Sequence, residues 1–308
     1  MTPPTSPPTP PSSPKGGARV KTAGPVEIRP GEATEVVAMV SSVCTMLALI
    51  SVWFLLQVLV LSGFSQARDQ HILYGQFRTQ VAEATAPLGP VITPGKPVAV
   101  LTIPKLDVQQ VVVEGTASGD MQAGPGHRRD SVIPGQVGTS YVYGRSATYG
   151  KPFADLDTLK VGDKIVTQTG QAKTTFVVEG IRRAGDQVTA PEAGAARLTL
   201  VTAEGTGFLH QLRPSDAVYV DAVSETGQQV PSGRPVGVPK SELAMEGTPG
   251  ALPMLALGLA LLTGLTIAVI AARQRWSAPL VWVIASPLAI ALSWFTTDQV
   301  VRLLPNLM

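Results

Sequence analysis

Cysteine is almost absent. The 308 residues contain one, Cys44, and it lies inside a long apolar run. No disulfide can close within the chain, and no thiol exists outside that run. Histidine is scarce as well: His71, His127 and His210 are the only three. Their spacing fits no metal-site pattern, so neither a metal nor a cofactor is expected. An excess of charge of either sign is also missing. The 24 Lys and Arg stand against 22 Asp and Glu, a net +2 spread along the chain. That balance excludes a nucleic-acid partner.

What the chain has in quantity is uninterrupted apolar sequence. A helix needs about 20 mostly apolar residues to cross a bilayer. Residues 36–61 meet that requirement without an internal charge, and residues 251–272 meet it again. Residues 278–295 form a third, shorter candidate interrupted by Pro287. The first run is too long, and starts too far into the chain, for a cleaved signal peptide, so it reads as an anchor. Lys15, Arg19, Lys21 and Arg29 precede it, and Arg273 and Arg275 sit between the second and third runs. Basic residues near spans stay cytoplasmic. The expected protein is a multi-pass one in the cell membrane, with its N-terminus cytoplasmic and the region between the first two spans outside.

Residues 1–35 open with MTPPTSPPTPPSSPKGG, a Pro/Ser/Thr tract that cannot bury a core and predicts a disordered cytoplasmic tail. After the first span, Ile72, Leu73, Phe77 and Val81 recur at helical spacing, predicting a juxtamembrane helix and linker over residues 64–96. The character then changes. Short Val- and Thr-rich runs such as VAVLTIPKL, DKIVTQTG, TTFVVEGIRRAG and AVYVDAV alternate with Gly- and Pro-containing joints. They predict an all-β domain over residues 97–223, with one short helix in PFADLDTL, residues 152–159. Residues 224–250 read as a flexible linker and 296–308 as a short tail.

The order LTIPKLDVQQVVVEGT, GPGHRRDSVIPGQVG, TYGKPFADLDTLKVGDKIVTQTG and RLTLVTAEG resembles the sortase family, in particular its class D and E members. The resemblance covers about two-fifths of the chain, and implies an eight-stranded sortase-like β-barrel beside three transmembrane α-helices, on the outer face of a Gram-positive, actinobacterial cell. Active members cut a Leu-Pro-x-Thr-Gly type of sorting signal through a cysteine thioester and pass the acyl group to a cell-wall amine. By the same resemblance, Ala203 stands at the position of the cysteine, Arg145 at that of the histidine, and Ala217 at that of the arginine. Alanine cannot attack a carbonyl, and arginine exchanges no proton near neutral pH. The resemblance therefore implies a degenerate domain without catalytic residues.

Tyr143, Arg145, Thr202, Glu204, His210 and Arg213 are the candidates for lining the old groove. Strand alternation turns Thr202 to the face opposite Ala203. Arg145 is expected to pair with Glu204, although Arg145 and Arg213 together could instead grip a carboxylate or phosphate. His127 reads as structural, His71 as exposed, and Arg182 and Arg183 as solvated at a hairpin tip. Gly258 and Gly264 permit close helix packing, either within the chain or against a partner.

The expected function is a non-enzymatic binding, scaffold or regulatory module in the bacterial cell envelope. Its partners would be the lipid bilayer, other envelope membrane proteins, and a sorting-signal peptide or cell-wall polymer. The alternatives are transpeptidation or hydrolysis by a non-cysteine route through Thr202 or Glu204, and a cell-wall ligand sensor that signals through the Pro-rich tail.

Overall fold

The computed structural model describes residues 37, 40, 41, 44, 48, 50–89, 91–183, 185–187, 192–205 and 214–308. The expected Pro-rich tail and nine residues of the first expected span lie outside these residues. The five described residues before Ile50 are helical and exposed. Ile50–Met308 forms one compact unit, and everything below concerns it.

Eight strands close a barrel in the order β1-β2-β3-β4-β7-β8-β6-β5. They are β1 (Pro97–Ile103), β2 (Val108–Glu114), β3 (Gly126–His127), β4 (Gly138–Tyr143), β5 (Lys164–Gln168), β6 (Lys173–Arg183), β7 (Ala196–Gly205) and β8 (Pro214–Ser224). Alternation decides which side chains fill it. Along the first half of β6, Thr174, Phe176 and Val178 point in while their neighbours stay exposed. With Leu101, Ile103, Val142, Phe153, Leu156, Ile165, Leu198, Leu200 and Val220, Phe176 and Val178 build one continuous core. Most contacts in the barrel are antiparallel, but β4 runs parallel to β7. That pairing brings the ends of β4 and β7 together although more than fifty residues separate them in sequence.

Three helices are long and apolar enough to cross a membrane: Ile50–Ala82, Pro249–Arg273 and Pro279–Leu303. Within the first, a short π-helical stretch, Gln57–Leu61, leads into α1 (Ser62–Ala82). Leu73 and Phe77 of α1 bury themselves against Val100, Val111 and Val113 of the barrel, while Ile72, expected on the same face, is exposed. The Gln70 side chain adds three bonds, donating to the carbonyls of Val111 and Ala123 and accepting from the Val111 amide. The helix leaving the apolar region is therefore fastened along one side of the barrel.

Helix α2 (Leu252–Arg273) spans about 33 Å at 1.5 Å per residue. Helix α3 (Ala278–Leu303) is longer than the expected third span, running eight residues past Phe295 to Leu303 with Pro287 inside it. At Gly258 α2 and α3 approach closely, since a methyl group there would meet Thr296 and Phe295. Gly264 has open space around it.

Two expectations need correction. The segment 152–159 contains only one turn of 3-10 helix, Leu156–Thr158. Its turn bonds span three residues, with Leu156 N donating to Phe153 O and Thr158 N to Asp155 O. The segment is too short to repay α-helix nucleation, and it is held instead by burying Phe153 and Leu156. The expected flexible linker over residues 224–250 is bound to the barrel. Thr116 donates to the Glu242 carbonyl at 2.6 Å, Arg129 donates to the Glu242 carboxylate at 2.9 Å, and Gln228 donates to Gly135 at 2.8 Å.

Gly144 marks the tightest packing near the end of β4. A methyl group at this position would land on the buried Phe153 ring. Overpacking a core usually costs about 1–3 kcal/mol, and here a fully buried ring must move. Gly144→Ala is expected to lower stability by about 3 kcal/mol or more, measured by thermal or denaturant unfolding of the detergent-solubilised chain.

Candidate functional site

The ends of β4, β7 and β8 meet at one place on the barrel. Ala203 and Ala217 are direct cross-strand partners in the β7–β8 ladder. Tyr143 pairs with Val201 in the β4–β7 ladder, and the Gly144 amide donates to the Val201 carbonyl at 2.9 Å. Arg145 follows immediately. Three positions far apart in sequence thus share one cleft, whose apolar wall is Met121, Tyr143, Val201, Ala203 and Ala217.

Arg145 does not project into that cleft as a free cation. It is 1% exposed, and its guanidinium is held by the main chain. Nε donates to Met121 O at 3.2 Å. Nη2 donates to Ser118 O at 2.6 Å and Ser118 Oγ at 2.9 Å, and Nη1 to Thr148 Oγ1 and Met308 O, both at 3.1 Å. The Tyr149 ring lies 5.1 Å below it. An arginine has five N–H donors, and all five are engaged. Burial pulls its pKa down to about 10, partly offset by Tyr149, so it stays charged at neutral pH.

The expected Arg145–Glu204 pair does not form. Glu204 accepts from Arg183 through two bonds of 2.7 and 2.8 Å, and that hydrogen-bonded guanidinium holds its carboxyl below the usual range. The reason is sheet order. Arg183 lies opposite Val218, and Glu204 opposite Asp216, so the pair reaches across β8. Arg183 is exposed, as expected, but Arg182 is not: it pairs with Asp221 at 2.5 Å and stacks 4.4 Å over Tyr219. Thr202 faces away from the cleft and donates to the carbonyls of Gly144 at 3.1 Å and Phe153 at 3.3 Å. His210 and Arg213 lie outside the described residues, so a fork made by Arg145 and Arg213 has no described geometry, and Arg145 has no donor left to offer it.

His127 deserves comparison with a catalytic base because Ser131 and Glu114 flank it. Its Nδ1 is 2.8 Å from Glu114 Oε2, and its Nε2 is 2.8 Å from Val132 O and 3.2 Å from Ser131 Oγ. The Val132 carbonyl can only accept, so Nε2, the nitrogen that faces Ser131, donates to it and has no lone pair with which to take the Ser131 proton. The Ser131 hydroxyl instead donates to Arg128 O at 2.7 Å. The cluster ties the end of β2 to β3 and to the loop that follows it. His71, on α1, is exposed. Among the described residues, no group of His, Cys, Asp and Glu could hold a metal ion.

The sequence reading missed the residues that fill the cleft. Helix α3 ends at Leu303, and residues 305–308 turn back over Ala203 and Ala217. Leu307 is fully buried and joins Met121, Tyr143, Val201, Ala203 and Ala217 in one apolar cluster. Its carbonyl accepts from Ser146 N at 2.9 Å and Ser146 Oγ at 3.2 Å. Met308 O accepts from Arg145 and, at 2.6 Å, from Thr148 Oγ1. Asn306 Nδ2 donates to Thr116 O at 2.8 Å and Leu243 O at 2.9 Å. A signal was present: Leu304-Pro305-Asn306-Leu307 repeats the Leu-Pro-x order of the peptide type implied by the resemblance.

Asp120 sits in the turn that caps Arg145, between Ser118 and Met121. Burial, with repulsion from Glu242, raises its carboxyl to about 6 against the pull of Arg129 and Arg302. The unfolded carboxyl titrates near 3.8, so between these values the folded chain binds the extra proton. That contribution to stability is complete below about 4 and is lost as pH rises through about 6. Melting temperature is therefore expected to fall over that interval, and Asp120→Asn, which stays neutral, is expected to flatten the profile.

Comparison with known proteins finds relatives for part of the chain. Residues 101–207 match the family model of the sortase domain. The sortase D5 transpeptidase of Clostridium perfringens is 22% identical, with 50% of this chain and 97% of that chain aligned at a TM-score of 0.42. A point mutant of sortase E from Streptomyces avermitilis is 30% identical over 49% of this chain and 100% of that chain, at a TM-score of 0.36. The SrtF sortase of Corynebacterium diphtheriae is 24% identical over 45% and 91%, at 0.37. No curated protein matches the chain.

Proposed function

We propose that this chain, which carries a sortase domain, is a non-catalytic member of the class D or E kind, serving as a binding or scaffold module in the envelope of a Gram-positive, actinobacterial cell. The observation that carries this reading is Arg145. Where a proton-transferring side chain would be needed, a buried guanidinium spends all five donors on the surrounding loops. Ala203 and Ala217 beside it supply neither a nucleophile nor an oxyanion donor. Thr202 and Glu204, the substitutes considered for a non-cysteine route, are engaged elsewhere.

The arrangement in the membrane follows the same reading. The barrel stands outside, with the N-terminus and the loop carrying Arg273 and Arg275 inside. Two contacts support a barrel seated at the outer ends of α1 and α3. Tyr149 N donates to Ser62 Oγ at 3.1 Å, and Tyr149 Oη donates to Asp298 Oδ1 at 2.8 Å. The partners proposed are the bilayer and other envelope membrane proteins.

The test is turnover by the full chain in lipid nanodiscs, given a Leu-Pro-x-Thr-Gly peptide and an amine acceptor. Mass spectrometry is expected to find no transfer or hydrolysis product above a protein-free control. A product that disappears in Thr202→Val or Glu204→Gln would overturn the reading and restore an enzyme.

A further inference from the structure

Residues 305–308 meet the cleft as a bound peptide would. Pro305 cannot continue α3, and it holds Leu304 in an extended conformation, with ψ 161°. The chain then closes a turn in which Met308 N donates to Pro305 O at 3.1 Å. Recognition splits into two parts. The carbonyls of Leu307 and Met308 each accept two bonds from Ser146, Arg145 and Thr148, contacts that any sequence could make. Specificity comes from the side chains. Leu307 is buried in one apolar cluster with Met121, Tyr143, Val201, Ala203 and Ala217, and the Asn306 amide donates to two main-chain carbonyls, Thr116 O and Leu243 O. Main-chain bonds for affinity and side-chain pockets for specificity are the general logic of peptide recognition.

From this geometry we infer that the cleft over Ala203 and Ala217 is a peptide-binding site occupied in cis by residues 305–308, and that it accepts a peptide of the same chemistry in trans once that segment is withdrawn. The ligand class is a short turn-forming peptide with proline two positions before a branched aliphatic residue. The inference rests on the non-catalytic reading, because a cleft filled by its own chain has no room for turnover. A tethered segment is present at high effective concentration, so a free peptide competes poorly while it is seated. Because the segment directly follows α3, any movement of that helix would pull on the occupant.

The test uses the full chain in nanodiscs and a fluorescent hexapeptide, Leu-Leu-Pro-Asn-Leu-Met, copied from residues 303–308. Anisotropy is expected to show saturable binding to a chain lacking residues 305–308, at least tenfold tighter than to the wild type. The same peptide with Asp at its fifth position is expected not to bind. If the shortened chain does not melt cooperatively, Leu307→Asp in the full chain, which expels the segment but keeps its length, takes its place. Equal binding to both chains, or binding to neither, overturns the cis occupancy and leaves the non-catalytic reading standing. Cleavage of the peptide, read from the same samples by mass spectrometry, overturns the non-catalytic reading and leaves the occupancy standing.

Discussion

Arg145→Ala is expected to destabilise the chain by about 3–5 kcal/mol, the range found when one partner of a buried charged network is removed. Two effects oppose each other. Burying the cation holds its pKa at about 10 rather than 12.5, a cost of roughly 3 kcal/mol that the alanine removes. Against this, Ser118 O and Met121 O lose their donor, while Ser118 Oγ, Thr148 Oγ1 and Met308 O each lose one bond and keep another. Each buried group left unpaired costs about 1–3 kcal/mol, and a cavity of arginine size opens as well. The acceptors outnumber the single charge, so the loss wins. Arg145→Met, which fills much of the cavity, is expected to recover part of the stability but not all of it. Denaturant unfolding of the three chains side by side checks this order.

The second large effect concerns chemistry. The triple substitution Ala203→Cys, Arg145→His and Ala217→Arg restores the residue types that the resemblance implies for an active enzyme. In the full chain it is expected to remain without turnover, because Leu307 occupies the space above residues 203 and 217. An arginine at 217 must also compete with Leu307 for the same pocket, where overpacking costs about 1–3 kcal/mol. Removing residues 305–308 from the triple variant is expected to change the outcome from no product to measurable peptide cleavage. Product formation in the full-length triple variant would show that the segment does not block the cleft.

The strands were legible because alternation is a local signal. Along β6, the Thr174, Phe176 and Val178 positions bury themselves as period two requires. The apolar runs are local signals too: α2 stands where it was expected, and α3 starts where it was expected but runs eight residues further, through part of the expected tail. What could not be read was pairing at a distance. Nothing near Glu204 in sequence indicates that β8 will bring Arg183 within reach while Arg145 turns inward toward Ser118 and Met121. The segment after α3 was missed on similar grounds. Five residues beyond an apolar helix carry no periodicity, and only the closed barrel shows that Leu307 has a pocket waiting. The linker over residues 224–250 looked free because it is rich in Gly, Pro and Ser, yet buried Glu242 and its bonds to Arg129 and Thr116 fasten it.

The most direct test of a self-occupied cleft is the reactivity of a thiol placed at its floor. Ala203→Cys in a Cys44→Ala chain puts the only thiol in the apolar cluster that holds Leu307. Maleimide labelling of the folded chain in nanodiscs is predicted to be slow, and to accelerate at least tenfold when residues 305–308 are removed. Equal labelling rates with and without the segment would contradict the account.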